Sequence, residues 1–214
     1  MNSAFRYQLG AHTVQLAQLC AMVGAAMSDA TCALLETDVV IADNVIAGQE
    51  EIAAMFSSAQ ECTFLLLSMR TPVATDLRAV VDAVQTGVEM ERLAASAIEI
   101  AYVVRRRYPD CSVPDQGRAI VADMGALALR LSGELQQLML LGHSGMADRI
   151  VRDGRAMSAL HRQLVTALVA QTRQDRDADA VDAVLLGDCY QRFSDCAEGI
   201  ARRTASHSNR QRSA

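Results

Sequence analysis

Residues 81–101 read VDAVQTGVEMERLAASAIEIA and residues 181–201 read VDAVLLGDCYQRFSDCAEGIA; laid over each other without a gap, they agree at nine of 21 positions. The matches are Val81, Asp82, Ala83, Val84, Gly87, Arg92, Ala97, Ile100 and Ala101 with the residues one hundred further on. Alanine-rich helices coincide by chance at about one position in ten, so composition alone yields about two matches. The two stretches are copies of one another. A weaker echo sets Ala42-Asp43-Asn44-Val45-Ile46 over Ala147-Asp148-Arg149-Ile150-Val151, which places a second pair of segments in register.

Around these copies, helical character fills six segments, at roughly 3–36, 38–69, 75–107, 115–142, 145–172 and 178–204. Proline, which breaks helix interiors, occurs only at Pro72, Pro109 and Pro114. Short connections make consecutive helices antiparallel neighbours. The expected fold is all-α: two tandem three-helix bundles, six long helices in all, related by an internal pseudo-twofold. The first repeat is expected to span 1–107 and the second 108–204, with a polar, unpatterned and disordered tail at 205–214. Each repeat is expected to bury its own apolar stripe, Leu77, Val81, Val84 and Val88 on the third helix and Val181, Val184 and Leu185 on the sixth.

Composition narrows the function. With 51% apolar residues, 4% aromatic and no Trp, the chain of 214 residues suits aliphatic helix packing. A net charge of −5, with every one of its 20 basic residues an Arg, excludes a general nucleic-acid binder, which needs a clustered basic surface. Met1–Gly10 has no apolar signal core, and no run approaches the roughly 20 apolar residues of a spanning helix. The chain is expected to be cytoplasmic and to reach a membrane only through partners.

The six cysteines, Cys20, Cys32, Cys62, Cys111, Cys189 and Cys196, are scattered without CxxC pairs and read as small buried hydrophobes. His12, His143, His161 and His207 have no partner at metal-ligand spacing. No Glu is followed three residues later by His, as carboxylate-bridged metal enzymes in helical bundles require. No phosphate-cradling glycine loop or nucleophile elbow is present, so no catalytic residue is nominated. Arg105-Arg106-Arg107 and Arg202-Arg203 close the third and sixth helices, where cations favour the macrodipole.

One polar face of the third helix carries Gln85, Glu89, Arg92, Ser96 and Glu99. It reads either as a solvated face braced by a Glu89–Arg92 pair or as carboxylates converging on a cation. The segment TPVATDLRAVVDAVQTGVEMERLAASAIEIA resembles the signature of the PhoU family of phosphate-homeostasis regulators through Pro72, Asp76, Leu77, Arg78, Glu89, Glu91 and Arg92. The second copy is similar to the matching stretch, most of all in the family's actinobacterial branch, through Leu186, Gly187, Tyr190, Arg192, Phe193, Asp195, Ala197, Ile200 and Ala201 to Arg203. The resemblance covers nearly the whole chain.

It implies a negative regulator of phosphate uptake and of the phosphate-starvation response. Such a protein is a non-catalytic adaptor between the ATP-binding subunit of a phosphate transporter and a sensor histidine kinase. The residues expected to bind partners are Asp76, Arg78, Glu89, Glu91, Arg92, Arg192 and Asp195. A homodimer is expected, because the apolar content is high for a thin molecule.

The resemblance also implies multinuclear iron or zinc clusters held by an acid-x-x-x-Asp motif in each repeat, and here the chain departs. Glu91 is followed four residues later by Ala95, and Asp195 is preceded four residues earlier by Gln191. Neighbouring acids are replaced by Gln49 and Ala53 in one repeat and by Gly154 and Ser158 in the other. Glu91 and Asp195 remain the metal candidates, with Glu50, Glu89, Asp153 and Asp188 nearby for a single ion, and no cofactor is expected. The alternative is a diverged paralogue with a different protein partner and no cluster.

Overall fold

Among the described residues there are seven helices: α1 (Ser3–Glu36), α2 (Val39–Ala47), α3 (Gln49–Ser68), α4 (Ala74–Arg107), α5 (Asp115–Leu141), α6 (Ser144–Val169) and α7 (Asp177–Arg212). The computed structural model describes residues 3–68, 74–142, 144–169 and 177–212. Pro72, His143 and the connection at 170–176 lie outside the described residues, as do the side chains of Asp76, Val181 and His207. Among the described residues there is no strand.

Local chemistry sets the helix ends. Asp38 caps α2, its Oδ1 accepting from the N–H groups of Val40 at 2.8 Å and Ile41 at 3.1 Å. This satisfies two donors that a helix start leaves unpaired. The expected second helix is in two pieces, divided at Gly48, whose own N–H still bonds Asn44 O at 3.0 Å. α5 stops at Gly142, which adopts φ 66 and donates to Leu138 O at 2.8 Å, a left-handed cap that glycine takes without strain.

α1 is the central element; it packs on α2, α3, α4 and α5, most extensively on α5. Its stretch Tyr7–Glu36 is long and apolar enough, by length and composition, to cross a membrane, contrary to the reading that no run approaches that length. Half of its apolar window is buried inside this fold, where Leu19, Val23, Met27, Ala30 and Ala33 are fully enclosed.

The internal twofold is visible in matched helix contacts. Where α1 crosses α5, Gly24 faces Ser132, and Gly125 faces Thr31. Adding 101 to the α1 members gives the α5 members. A Cβ on Gly24 would lie 2.8 Å from Ser132 Cβ, and one on Gly125 3.1 Å from Thr31 Cβ. Each crossing thus seats a hydroxyl side chain in the space a glycine leaves. α4 and α7 run antiparallel: Glu89 lies beside Gly199, and Glu99 beside Cys189, again a pair exchanged by an offset of one hundred. Phe56 of α3 lies against Gly87 as His161 of α6 lies against Gly187. Their offset of 105 is that of the weak echo between residues 42–46 and 147–151.

One continuous cluster of buried side chains draws on all seven helices, so the repeats share an interior and do not each bury a stripe of their own. Tyr190 of α7 is fully buried, and its hydroxyl lies 2.8 Å from Thr31 Oγ1 of α1, tying the repeats together. Burying such a ring contributes about 1.5–3 kcal/mol.

Two expectations are corrected here. Leu77, Val81, Val84 and Val88 are 43–46% exposed. The buried face of α4 is instead Val80, Ala83, Gly87, Met90, Leu93, Ala94, Ala97, Ile100, Ala101 and Val104. Small residues on that face let α4 approach α1 and α7 closely, so the larger valines are left outside. On α7, Leu185 is likewise exposed, while Val184 packs partly against the core. The segment 205–214, expected to be disordered, is helical as far as Arg212. Ala205 packs on the core, and Thr204 and Ser206 each donate to the carbonyl four residues back.

Candidate functional site

The charged residues singled out in the sequence lie along α4 and α7, and the structure divides them. Arg78, Glu91 and Arg92 are exposed, and among the described residues Glu91 and Arg92 enter no ion pair. Glu89 is half-buried and faces Arg203 Nη1 of α7 at 3.6 Å, not Arg92. Arg192 donates to Glu99 and lies 3.3 Å from Cys189 Sγ. Asp195 accepts from Gln191 Nε2 at 2.7 Å. The second group stitches α4 to α7 or braces α7 internally, while Arg192 and Asp195 stay exposed.

The arginines closing α4 do more than complement its dipole. Arg106 Nη2 and Arg107 Nε reach Asp182 of α7 at 3.0 and 2.6 Å, and Asp182 is largely buried. A carboxylate held by two guanidinium groups forms strong, charge-assisted bonds. Arg105 lies 3.8 Å from Asp43 and over the ring of Tyr102.

All six cysteines are free. Burial pushes the thiols of Cys20, Cys189 and Cys196 up to about 12, so these three are protonated and poor metal ligands or nucleophiles at neutral pH. Among the described residues no three His, Cys, Asp or Glu side chains are gathered to hold a metal. In the second repeat, Asp153 is held by Arg130 at 2.8 Å and Glu198 by Arg202 at 3.0 Å, and His161 Nε2 lies 3.2 Å from Asp188. Glu198 also lies over Gly154. This donor set does not fit a multinuclear iron or zinc cluster, which needs several converging carboxylates.

A second feature was not found by sequence reasoning. A cavity of about 140 Å³ opens between α1, α3 and α4, lined by His12, Leu16, Phe56, Ala59, Thr63, Phe64, Val84 and Val88 among others. His12 is 1% exposed. Its Nε2 lies 3.1 Å from Thr63 Oγ1, whose own proton goes to Ala59 O at 3.0 Å. The ring thus meets a hydroxyl on one side, while its Nδ1 is enclosed by protein with the Gln15 side chain beside it. Burial lowers the His12 pKa, opposed by Gln15 beside it, so the neutral ring is favoured.

Comparison with known proteins places this arrangement. The model of the PhoU domain matches residues 16–104. The phosphate-specific transport system accessory protein PhoU homolog 2 of Mycobacterium tuberculosis is 38% identical over 203 residues, 95% of each chain. Homolog 1 of Mycobacterium leprae is 37% identical, covering 95% of this chain and 91% of its own. The crystal structure of PhoU from Pseudomonas aeruginosa superposes with a TM-score of 0.87 at 19% identity, over 96% of this chain and 99% of that one. PhoU from Streptococcus pneumoniae gives 0.84 at 20% identity, over 95% and 96%. Two copies of one helical unit, matched to such relatives along nearly the whole length, make the chain a member of the PhoU family.

Proposed function

We infer that the chain is a regulatory adaptor that restrains phosphate uptake and the phosphate-starvation response when phosphate is plentiful, with no catalysis of its own. The observation that carries this reading is 38% identity along 95% of the chain to a protein named as an accessory of the phosphate-specific transport system. Its partners are the ATP-binding subunit of the transporter and a sensor histidine kinase, met at the cytoplasmic face of the membrane. The exposed Arg78, Glu91 and Arg92 offer charges to such partners without breaking an internal pair, and a homodimer is compatible with the exposed apolar residues of α3 and α4.

Deleting the gene should raise a phosphate-starvation reporter, such as secreted alkaline phosphatase, in phosphate-rich medium, and an intact copy should restore repression. An Arg78→Glu protein that folds normally should bind the transporter ATPase or the kinase more weakly. A silent reporter, with any paralogue also removed, would sink the adaptor reading. A diverged family member with another partner would then take its place, a reading favoured by the loss of acids at Ala95 and Gln191.

A further inference from the structure

The outer flanks of the two repeats carry opposite charge. On the first repeat, α2 and α3 present Asp43, Glu50, Glu51 and Glu61, all exposed, and no Arg occurs between residues 39 and 68. Their counterpart α6, at the offset of 105, exposes Arg149, Arg152, Arg155 and Arg162 against one exposed acid, Asp148. These arginines stand where the first repeat has Asn44, Ala47, Glu50 and Ser57. Among the described residues α6 packs only on α5 and α7, and none of its four arginines enters an ion pair. Glu134 of α5 lies within electrostatic reach of Arg149 and Arg152, and Asp153 is taken by Arg130 at 2.8 Å. A chain of net charge −5 thus keeps a basic ridge on one flank.

We propose that the outward face of α6 is a docking surface for anionic phospholipid headgroups, lying flat on a membrane without inserting into it. Charge complementarity calls for an anionic partner, and the rest of the face selects its kind. Besides the charges, the exposed residues of α6 among those described are Gly145, Ala156, Gln163 and Thr166; no large apolar side chain of this helix is exposed. A protein interface is built around a buried apolar or aromatic core, and entry into the acyl region needs Leu, Phe or Trp. α6 offers neither. From Arg149 to Arg162 the ridge runs about 20 Å at the rise of an α-helix, and clustered arginines on a polar helix face are drawn to a plane of phosphates. The same plane repels the acidic flank of α2 and α3, so the molecule settles with α6 down and the first repeat facing outward. Salt screens the contact, which is weak alone and adds to any partner contact made at the same membrane.

The test uses the full chain and vesicles of defined composition. At about 50 mM salt the protein should co-sediment with phosphatidylcholine vesicles containing about 30% phosphatidylglycerol, stay in solution with phosphatidylcholine alone, and be released at about 0.5 M salt. Arg155→Glu with Arg162→Glu turns the exposed balance of the face negative and should abolish binding. Arg155→Gln with Arg162→Gln, a milder change that keeps the test should the reversals disturb folding, should weaken binding about tenfold. Glu50→Gln with Glu51→Gln, on the other flank, should leave it undiminished.

Undiminished binding in both arginine variants, equal binding to neutral vesicles, or no binding to anionic ones overturns the proposal. Release by inorganic phosphate, where chloride of the same ionic strength does not release, assigns the arginines to free phosphate. Tighter binding of duplex DNA than of vesicles at one salt makes nucleic acid the occupant. Salt-sensitive self-association without vesicles, removed by the arginine variants, makes it the acidic flank of a second copy. Each of these three results overturns the lipid surface. Gene deletion is a separate readout: a silent reporter sinks the adaptor reading and leaves vesicle binding untouched.

Discussion

His12 is a polar side chain in an apolar wall, and its proton is linked to the stability of the fold. Burial lowers its pKa from 6.5 in the folded chain, so the unfolded chain binds the proton more readily. The stabilisation from keeping the ring neutral is complete above the unfolded pKa and declines as the pH falls below it. Between about pH 7.5 and about pH 5, the urea midpoint of the wild type should therefore drop further than that of His12→Gln, which cannot take up the proton. Identical slopes for the two proteins would show that His12 is solvated. Nothing in the sequence distinguished this histidine, because its neighbours Thr63 and Phe56 come from a helix more than forty positions away. Asp76 to Arg92 were legible as a charged stretch, yet the sequence pairs Glu89 with its neighbour Arg92, whereas the helix alongside supplies Arg203.

On α4, the boundaries were readable and the buried face was not. Pro72 and the Pro109–Pro114 pair bracket the helix, and the observed span Ala74–Arg107 differs by one residue from the reading. The stripe Leu77, Val81, Val84 and Val88 reads as core because large apolar side chains usually mark it. Here the core face is built from Ala83, Gly87, Ala94, Ala97 and Ala101 with Met90 and Leu93 between them, and alanines carry little weight in a hydrophobic pattern. The two faces should respond to mutation very differently. Met90→Ala, at a fully buried position, should cost about 2–5 kcal/mol in chemical denaturation. Val81→Ser, on the exposed stripe, should stay within about 0.5 kcal/mol. Equal losses would place the stripe in the interior after all.

Across the whole molecule, duplication was legible because α4 and α7 kept nine identities, while the sharing of one core by both copies was not. Shared burial depends on α1 crossing α5, and those two helices betray their kinship only through glycine and hydroxyl positions, Gly24 with Gly125 and Thr31 with Ser132. Cut at the apparent boundary, the fragment 1–107 would expose the α1 surface that α5 covers. It should show no cooperative thermal unfolding by circular dichroism, and mixing it with 108–214 should restore a single transition. A cooperative melt of 1–107 alone would mean that each repeat is self-sufficient.

The Thr31–Tyr190 contact has an optical consequence. The chain has no Trp and four tyrosines, and Tyr7, Tyr102 and Tyr108 are exposed, leaving Tyr190 as the one enclosed tyrosine. A change of tyrosine absorbance on leaving the interior therefore reports on one site, at the seam between first and last helix. A blue shift on heating or on adding a partner would time the parting of the two repeats with no label attached.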